Sequence, residues 1–431
     1  MRASPASAAI LVLALAAPGL AQPPGYPQPL PTPLPLFPAD NWWNVDIRSA
    51  PVDPRSAQFI DFIGGASRGL HPDFGGDVDP GNPSDPEIYG MVYVVVPGSQ
   101  PLRPVVFDYA DESDPGAPGR PAGYPIPDAA ITQPRWIEGG YPGNQDQGSD
   151  QHLLIVDRDH RLLYETWQTR YNSAAQRWEA GSGAVFPLAS NARRPEGWTS
   201  ADAAGLAVLP GLVRYDEAFG TDPIRHALRV TIHDTNGHAF PASHTACNGC
   251  PASAPPLGAR LRLKASVDLS RFPAYLQRIF QAMKTYGLIV ADNGSDLYIS
   301  GTYDPRWNND ELNPAFASLH ATDFEVVKLG WRPSGVPAAP AAPSALTARA
   351  LDRHRIRLQW HDNSANETGF SLEMRAPGRQ FRPVATTTAN RTVAVIAGLA
   401  PGTRYVFRVY ARNAAGASGY SNSVTATTLR R

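Results

Sequence analysis

Residues 149–167, SDQHLLIVDRDHRLLYETW, carry the clearest structural pattern in the sequence. Two apolar runs flank a polar turn at 158–160, which predicts an antiparallel β-hairpin. Alternate side chains of a strand point to the same face, so Glu165 and Trp167 share one face of the second strand. His152 shares a face of the first strand with two apolar residues. A carboxylate beside a Trp on an otherwise apolar strand face is unusual.

The composition extends this β character to the whole chain. Of 431 residues, 44 are Pro and 37 are Gly, about a fifth of the chain against about 12% on average. Proline costs about 3 kcal/mol inside a helix, which excludes a mainly helical fold. With 42% hydrophobic and 9% aromatic residues the chain can build a core. We therefore predict a mainly β protein: a large β-rich domain, sandwich or barrel-like, with one or two helices and long loops.

Local patterns place the other elements. Ser270 and Gly287 bound a run with 3–4 apolar spacing, which predicts a helix, and a shorter helix is predicted over 54–63. Asn293-Gly294 between two apolar runs predicts a hairpin of 288–292 with 297–300. Further strands are predicted at 88–96, 103–109, 152–157, 161–168, 226–233 and 260–267.

The charge balance excludes one class of partner. The formal net charge is −1, so binding to nucleic acid through a basic surface is not expected. Lys264, Lys284 and Lys328 are the only lysines. With abundant Ala, Pro and Gly, the preference for Arg indicates a GC-rich bacterial genome.

The first 39 residues have two parts. Residues 1–21 have the charged start, short apolar run and small residues of a secretory signal peptide. Residues 22–39 are Pro-rich and predict an extended tether. No later apolar run reaches the length of a membrane span. We expect a secreted protein, extracellular or periplasmic, without membrane insertion and monomeric.

The only cysteines, Cys247 and Cys250, form a C-x-x-C motif. In an exported protein a disulfide is the first expectation. A zinc site with His238 and His244 and a redox motif are the alternatives.

A second Pro-rich stretch, 331–343, predicts a linker between a domain at 40–330 and a smaller one at 344–431. The smaller part has short alternating strands, with Trp360 at a core position. LAPGTRY at 399–405 places Tyr405 at a corner before a strand. On these residues it resembles a fibronectin type III module, which implies a seven-stranded β-sandwich. Residues 40–330 resemble an extracellular bacterial domain without a named activity that recurs beside such modules.

Glu165 is the first candidate catalytic residue. Burial raises the pKa of a carboxyl group, which suits a general acid, and Trp167 offers a ring on which a sugar can stack. His152 lies on the neighbouring strand. The alternative is a carboxylate at the edge of the sheet beside a packed Trp.

A second candidate group lies in a loop-rich region. Asp202 and Glu217 are candidates for the second catalytic carboxylate, and Trp198 for a second stacking ring. The alternative is helix capping and surface charge.

A third group lies on the strand predicted at 226–233. Six of the ten histidines fall between 152 and 244 and could supply a metal site, or His226 and Arg229, with Tyr, suit proton abstraction in a lyase. Histidines packed for stability are the alternative.

No cofactor is predicted, and the metal content stays open. Acidic loops at 77–85, 108–114 and 304–310 have the oxygen ligands that calcium prefers, without the EF-hand spacing. A structural calcium ion is the one metal these loops suggest.

These features lead to two hypotheses of different class. The first is a secreted glycan-active enzyme, glycoside hydrolase-like or, second, a polysaccharide lyase. Glu165, Asp202, Glu217, His152 and His226 are then catalytic, Trp167, Trp198 and Arg229 bind substrate, and the C-terminal module is an accessory. The second is a non-catalytic extracellular protein that binds carbohydrate or mediates adhesion. The partner in both is a polysaccharide or a cell-surface glycan.

Overall fold

The computed structural model describes residues 28–430 except 83, 115–121, 146–149, 334–337, 339, 380 and 414–415. The predicted signal peptide and the start of the predicted tether lie outside the described residues. The protein is mainly β, as predicted, with four α-helices among the described residues. The helices are α1 (Ser56–Phe62), α2 (Tyr215–Ala218), α3 (Ala274–Thr285) and α4 (Asn309–Ala317).

Thirteen of the described strands belong to the large N-terminal domain. They are β1 (His71–Asp73), β2 (Tyr93–Val96), β3 (Val105–Phe107), β4 (Leu153–Asp157), β5 (Leu162–Trp167), β6 (Arg170–Asn172), β7 (Arg177–Ala180), β8 (Ser182–Pro187), β9 (Leu228–Ile232), β10 (Arg260–Leu263), β11 (Leu288–Asn293), β12 (Tyr298–Ser300) and β13 (Phe324–Val326).

These strands form three sheets. The largest has the order β1-β12-β9-β11-β10-β13, a second has the order β2-β4-β5-β8, and a third the order β3-β7-β6. One core joins one face of the four-stranded sheet to the six-stranded sheet and the helices. A second core covers the other face of the four-stranded sheet. The four-stranded sheet is therefore the middle layer, buried on both sides.

The β4–β5 hairpin forms as predicted. Leu154 pairs with Glu165 and Val156 with Leu163, so these side chains share one face. That face is the one directed at the larger core. Glu165 therefore points into the protein interior.

The predicted 288–300 hairpin is wrong in its pairing. Both strands exist, but β9 lies between them, parallel to β11 and antiparallel to β12. Gly294 donates from its backbone to Ile232 and Leu297 to Thr231. The chain therefore crosses the end of β9 instead of folding back on itself, because the β9 backbone supplies the hydrogen bonds that the hairpin partner was expected to supply.

The helices differ from the prediction in their bounds and number. α3 begins at Ala274, after Pro273, and Gly287 follows its end with a φ of 78°. α1 falls within the predicted 54–63. α4 begins at Asn309, near the end of the acidic stretch at 304–310, because Asn308 caps its N-terminus by accepting from the Asp310 amide.

The described part of the Pro-rich segment does not extend away from the protein. Leu30, Leu36 and Phe37 are buried in the larger core. Arg161 donates to the carbonyl of Thr32 at 3.0 Å, and the Tyr93 hydroxyl to that of Gln28 at 2.6 Å. The apolar residues between the prolines hold the segment on the domain, which corrects the expectation of a free tether over this part.

The C-terminal module is a two-sheet sandwich. Trp360 is buried between the sheets, and the Tyr405 hydroxyl accepts from the Ala400 amide at 3.0 Å, which fixes the corner before its strand. One sheet has the order β14-β15-β18, and the other β17-β16-β19-β20 with β21 also paired to β19. The strands are β14 (Ser344–Ala350), β15 (Ile356–His361), β16 (Gly369–Arg375), β17 (Arg382–Thr386), β18 (Val393–Ile396), β19 (Arg404–Asn413), β20 (Gly416–Tyr420) and β21 (Val424–Thr427).

Candidate functional site

One face of β9 is polar at the centre of the six-stranded sheet. Leu228, Val230 and Ile232 belong to the apolar core, whereas Arg229 and Thr231 alternate with them and point to the other face. Arg229 is 3% exposed, so its guanidinium needs partners inside the protein.

Arg229 binds two carboxylates and a hydroxyl. Its Nε and Nη2 donate to the two oxygens of Asp202 at 3.1 and 2.9 Å. Nη2 also donates to Asp292 Oδ2 at 3.0 Å, and Nη1 to Ser300 Oγ at 2.7 Å. One buried cation thus serves two carboxyl groups.

A β-bulge puts Asp292 in this group. Val290 pairs with Val230, but the next pair is Asp292 with Thr231, so Ala291 is an extra residue. Without it the alternation would turn Asp292 to the opposite face. Bulges redirect side chains in this way next to functional sites.

The environment of Asp292 raises its pKa to about 7, through burial first and the Asp202 carboxylate second, while Arg229 opposes the rise. The Asp292 carboxyl group therefore holds its proton to a higher pH than an ordinary aspartate does. A general acid needs a pKa near the working pH, and Asp292 meets that condition.

Asp292 and Asp202 line a cavity of about 400 Å³. Trp167 and Tyr109 form its aromatic part, with ring centroids 6.4 Å apart, and the Trp167 Nε1 donates to Asp150 Oδ1 at 3.0 Å. The other lining residues are Glu112, Asp150, Ser182, Thr199, Ser200, Ala201, Ala203, His244, Ala246 and Asn293.

Two sides of this cavity offer hydrogen-bonding groups to a ligand. Glu112 is partly exposed; its Oε2 accepts from the Thr199 amide at 3.1 Å and lies 3.7 Å from His244 Nε2. Asn293 donates from Nδ2 to the Ala246 carbonyl at 2.9 Å. The arrangement combines aromatic rings with carboxylates and one carboxyl group able to carry a proton, which suits a ligand rich in hydroxyl groups.

Glu165 does not line this cavity. It is fully buried, and its carboxylate accepts from the backbone amides of Val208 and Leu209 at 2.8–3.0 Å. Burial raises the pKa of Glu165 to about 7, and the two amides oppose the rise. The predicted perturbation is present, but the carboxyl group holds the 208–211 turn against β5 rather than facing a ligand.

His152 is a buried cation. Its Nδ1 lies 2.6 Å from Glu138 Oε2 and its Nε2 2.9 Å from the Ala201 carbonyl. Both partners are acceptors, so both ring nitrogens donate. Glu138 accordingly raises the pKa of His152 to about 9 against the effect of burial. A ring whose two nitrogens both donate has no lone pair for base catalysis.

Glu217 and His226 lie in a separate cluster. His226 Nε2 donates to Glu217 at 3.0 Å and Nδ1 to the Ala227 carbonyl at 2.9 Å. Arg214 also donates to Glu217 at 2.6 Å. These three residues line a different cavity, of about 360 Å³. The structure thus brings together Asp202, Trp167 and Arg229 of the predicted site residues, and separates Glu217 and His226 from them.

Trp198 is not part of the cavity wall. The Arg194 guanidinium lies 5.2 Å from its ring centroid, and its carbonyl accepts from Ser243 Oγ. Arg194 itself is paired with buried Asp114. The ring belongs to the packing of the 194–199 loop.

Cys247 and Cys250 form a disulfide, as predicted. This excludes the zinc alternative with both thiolates as ligands. His244 Nδ1 instead donates to the Ala203 carbonyl at 2.8 Å, and His238 hydrogen-bonds Thr245 and Glu196.

The acidic loops have protein partners. Asp77 accepts from Tyr303 and pairs with Arg135, and Asp304 pairs with Arg306. Within the part of the chain that the structure describes, no cluster of three or more His, Cys, Asp or Glu side chains could hold a metal ion. The calcium prediction therefore has no ligand set to support it in that part.

Asp292 is the functional candidate that the sequence reasoning missed. It ends an apolar strand and precedes Asn293-Gly294, a dipeptide that indicates a turn. Nothing in that pattern reveals the bulge or the neighbouring β9. The sequence has one signal for a polar site in this sheet: Arg229 alternates with apolar residues. Arg229, however, lies on β9 and Asp292 on β11.

The comparisons with known proteins concern the C-terminal part. The fibronectin type III domain model matches residues 341–427. Residues 341–427 form a fibronectin type III domain. The buried Trp360 and the Tyr405 corner of that domain were predicted from the sequence. The chain is a multidomain protein that carries a module of extracellular type.

Among curated proteins, a titin homolog of Caenorhabditis elegans is 35% identical over 101 residues, which are 22% of this chain and round to 0% of that protein. The chain thus spans a negligible part of the relative it matches. A solution structure of the fibronectin type III domain of human contactin 1 is 22% identical, covering 23% of this chain and 91% of that one at a TM-score of 0.20. A β-1,2-glucanase from Parabacteroides distasonis is 22% identical, covering 25% of this chain and 15% of that one, also at 0.20.

None of the helices in the described part of the chain is both long and apolar enough to cross a membrane.

Proposed function

We propose that the protein is an exported glycan-active enzyme of hydrolase type, with its site in the cavity lined by Asp292, Glu112 and Trp167. The observation that carries the proposal is the placement of Asp292: a bulge directs this carboxyl group, whose pKa burial raises, into a cavity with an aromatic wall. The fibronectin type III domain is an accessory to this site.

In this proposal Asp292 is the general acid. Its proton passes to the glycosidic oxygen as the bond between that oxygen and the anomeric carbon breaks. Glu112, a partly exposed carboxylate that lines the same cavity, takes a proton from the water molecule that adds to the anomeric carbon. One water is consumed, and proton exchange with solvent restores both carboxyl groups.

Arg229 and Asp202 position the acid. The bidentate contact between them, at 2.9 and 3.1 Å, fixes a negative charge beside Asp292. That charge opposes loss of the Asp292 proton. Trp167, oriented by Asp150 through its Nε1, provides the surface on which a sugar ring stacks.

The test is the variant Asp292→Asn, assayed for release of reducing ends from a panel of polysaccharides. Loss of a general acid lowers turnover by a factor of about 10² to 10⁴. Binding of the same polysaccharide should change little, because Asn keeps the shape and a hydrogen-bonding group. Glu217→Gln, in the other cluster, is the matched control and should retain turnover.

Unchanged turnover in Asp292→Asn would remove Asp292 from the mechanism. Turnover lost equally in both variants would indicate a general loss of structure, which a thermal unfolding curve of each variant would show.

A non-catalytic glycan-binding protein is the second candidate. Both side-chain oxygens of Asp202, the carboxylate nearest to Asp292 in this cluster, are occupied by Arg229. If Glu112 is not the base, the site binds without cleaving. Polysaccharide binding that depends on Trp167, with no product released by the wild-type protein, would favour this second function.

A further inference from the structure

A row of polar side chains leads from the cavity across the six-stranded sheet. In the strand register Asp292 lies opposite Thr231, Thr231 opposite Tyr298, and Tyr298 opposite His71. Residues directly opposite each other point to the same face. With strands about 4.8 Å apart, the row runs about 14 Å from Asp292 to His71, farther than a single sugar ring reaches.

The row lies near the rim of the sheet face that carries Arg229 and Thr231. The rim is the end of that face where side chains become exposed to solvent. Two residues before Thr231 on β9 and two residues after Tyr298 on the antiparallel β12, Arg229 and Ser300 are buried. Two residues after Thr231, the His233 side chain is 47% exposed. At the level between, Asp292, Tyr298 and His71 are half-buried, whereas Thr231 is buried and donates from its hydroxyl to the Ser295 carbonyl at 2.7 Å. The three half-buried side chains can therefore contact a ligand that lies along the rim.

His71 at the far end is held by its neighbours. Its ring lies 4.3 Å from that of Tyr298, tilted by 35°. Its Nε2 is 3.0 Å from the Tyr89 hydroxyl, and that hydroxyl also interacts with the Asp73 carboxylate. A carboxylate only accepts, so Tyr89 donates to Asp73 and His71 Nε2 donates to Tyr89.

This arrangement fixes the proton of His71 on Nε2. The other nitrogen, Nδ1, has no hydrogen-bond partner among the described residues, and neither has the Tyr298 hydroxyl. Neither atom is among the buried polar atoms without a partner, so both reach solvent. Burial lowers the pKa of His71, which keeps the ring neutral and its Nδ1 lone pair available.

We propose that His71 and Tyr298 form a distal subsite of the same site, which makes it an extended site for a chain-like oligosaccharide rather than a monosaccharide site. His71 Nδ1 accepts a hydrogen bond from a sugar hydroxyl, and the Tyr298 hydroxyl donates to a neighbouring oxygen. The separation from Asp292 is too large for His71 to act with it on one bond. His71 is therefore a binding residue. This inference rests on the proposed function of the cavity.

The test is isothermal titration of cello-oligosaccharides and chito-oligosaccharides of one to six residues, with Asp292→Asn as the background to prevent cleavage. Affinity should rise with chain length and then level off. His71→Ala should remove about tenfold of the affinity for the longer chains, as expected for a lost hydrogen bond and ring contact. The affinity for the shortest oligosaccharide that binds should be the same as without this substitution.

Tyr89→Phe keeps the aromatic packing and removes only the acceptor of His71 Nε2. In ¹⁵N spectra of labelled histidine, the wild-type His71 should show the Nε2–H tautomer, and Tyr89→Phe should give a mixture of tautomers. His152 should be unaffected in the same spectra. This readout does not need a ligand.

The outcomes separate the two proposals. Length-dependent binding that Trp167→Ala abolishes and His71→Ala leaves intact would overturn the distal subsite and support the cavity. An Nδ1–H tautomer of His71 in the wild-type protein would also overturn the subsite. No binding of any of these oligosaccharides to a folded protein would count against the proposed function and the subsite with it.

Discussion

The large domain has two buried ionic clusters built from carboxylates and basic side chains. In one the carboxylates outnumber the basic groups, and in the other the basic groups outnumber the carboxylates. In the first, one guanidinium, Arg229, serves two carboxylates, Asp202 and Asp292. In the second, one carboxylate, Glu217, accepts from both Arg214 and His226. Burial, with the Asp202 carboxylate second, raises the pKa of Asp292 to about 7, whereas Arg214 and His226 together outweigh burial and lower the pKa of Glu217.

The comparison shows why burial and a charged partner do not by themselves make a catalytic acid. Both carboxyl groups are close to a guanidinium and both line cavities. Only the one that shares its cation with a second carboxylate has a raised pKa. Burial raises the pKa of both carboxyl groups; at Asp292 a second carboxylate adds to that rise, and at Glu217 two cations reverse it.

Removal of the shared cation should have the largest effect. In Arg229→Met, Asp202 loses every side-chain hydrogen bond that the described residues give it. We expect the free energy of unfolding to fall by about 3–5 kcal/mol, measured by urea denaturation at pH 7. Arg214→Met is the control. Because Glu217 keeps His226, the expected loss there is about 1–3 kcal/mol. Equal losses would contradict the difference between the clusters.

The pH dependence of stability should have opposite signs in the two clusters. Asp292 has a folded pKa near 7, above its unfolded value, so its contribution to stability falls as the pH rises from about 4 to about 7. Relative to Asp292→Asn, the wild-type protein should lose on the order of 2–4 kcal/mol over that range.

Glu217 has a folded pKa below its unfolded value. Its contribution is present above about pH 4.5 and is lost as the pH falls through the lower folded value. Comparison of wild type with Glu217→Gln by urea denaturation at several pH values should show this decrease on the acidic side. A decrease on the alkaline side for Glu217 would show that the assignment of charge ratios is wrong.

His152, beside the first cluster, should cause a smaller loss of folding stability at alkaline pH. Its folded pKa of about 9 lies above the unfolded value, so its contribution is complete below about pH 6.5 and is lost as the pH rises through 9. Relative to His152→Gln, the wild-type protein should lose about 2–3 kcal/mol between pH 6 and 10. A flat difference would mean that His152 is neutral in the folded protein.

Reduction of the disulfide should have the smallest effect. The closed loop contains so few residues that its loss should cost less than about 2 kcal/mol. The loop adjoins the cavity through Ala246, whose carbonyl accepts from Thr235 and Asn293. The double variant Cys247→Ser/Cys250→Ser should therefore unfold at nearly the wild-type urea concentration. A loss above 3 kcal/mol would show that the loop stabilises more than its own turn.

Part of the site followed from local pattern. Alternation along β5 and β9 identified Trp167 and Arg229, and the loop composition identified Asp202. The same reasoning favoured Glu165, because an acidic residue on an apolar face is conspicuous in a sequence. Whether it meets a ligand or two backbone amides depends on the 208–211 turn, which is distant in sequence and carries no signal of that contact.

Local sequence patterns are sufficient to predict the β character, the β4–β5 hairpin and the C-terminal sandwich. These follow from period-2 alternation, from the exclusion of helix by Pro and Gly, and from core residues such as Trp360. The pairing of β9 between β11 and β12, the bulge at Ala291 and the row from Asp292 to His71 were decided only by tertiary structure. Hydrogen bonds between strands distant in sequence, and one extra residue in one of them, set which side chains share a face. Alternation within a single strand cannot specify that.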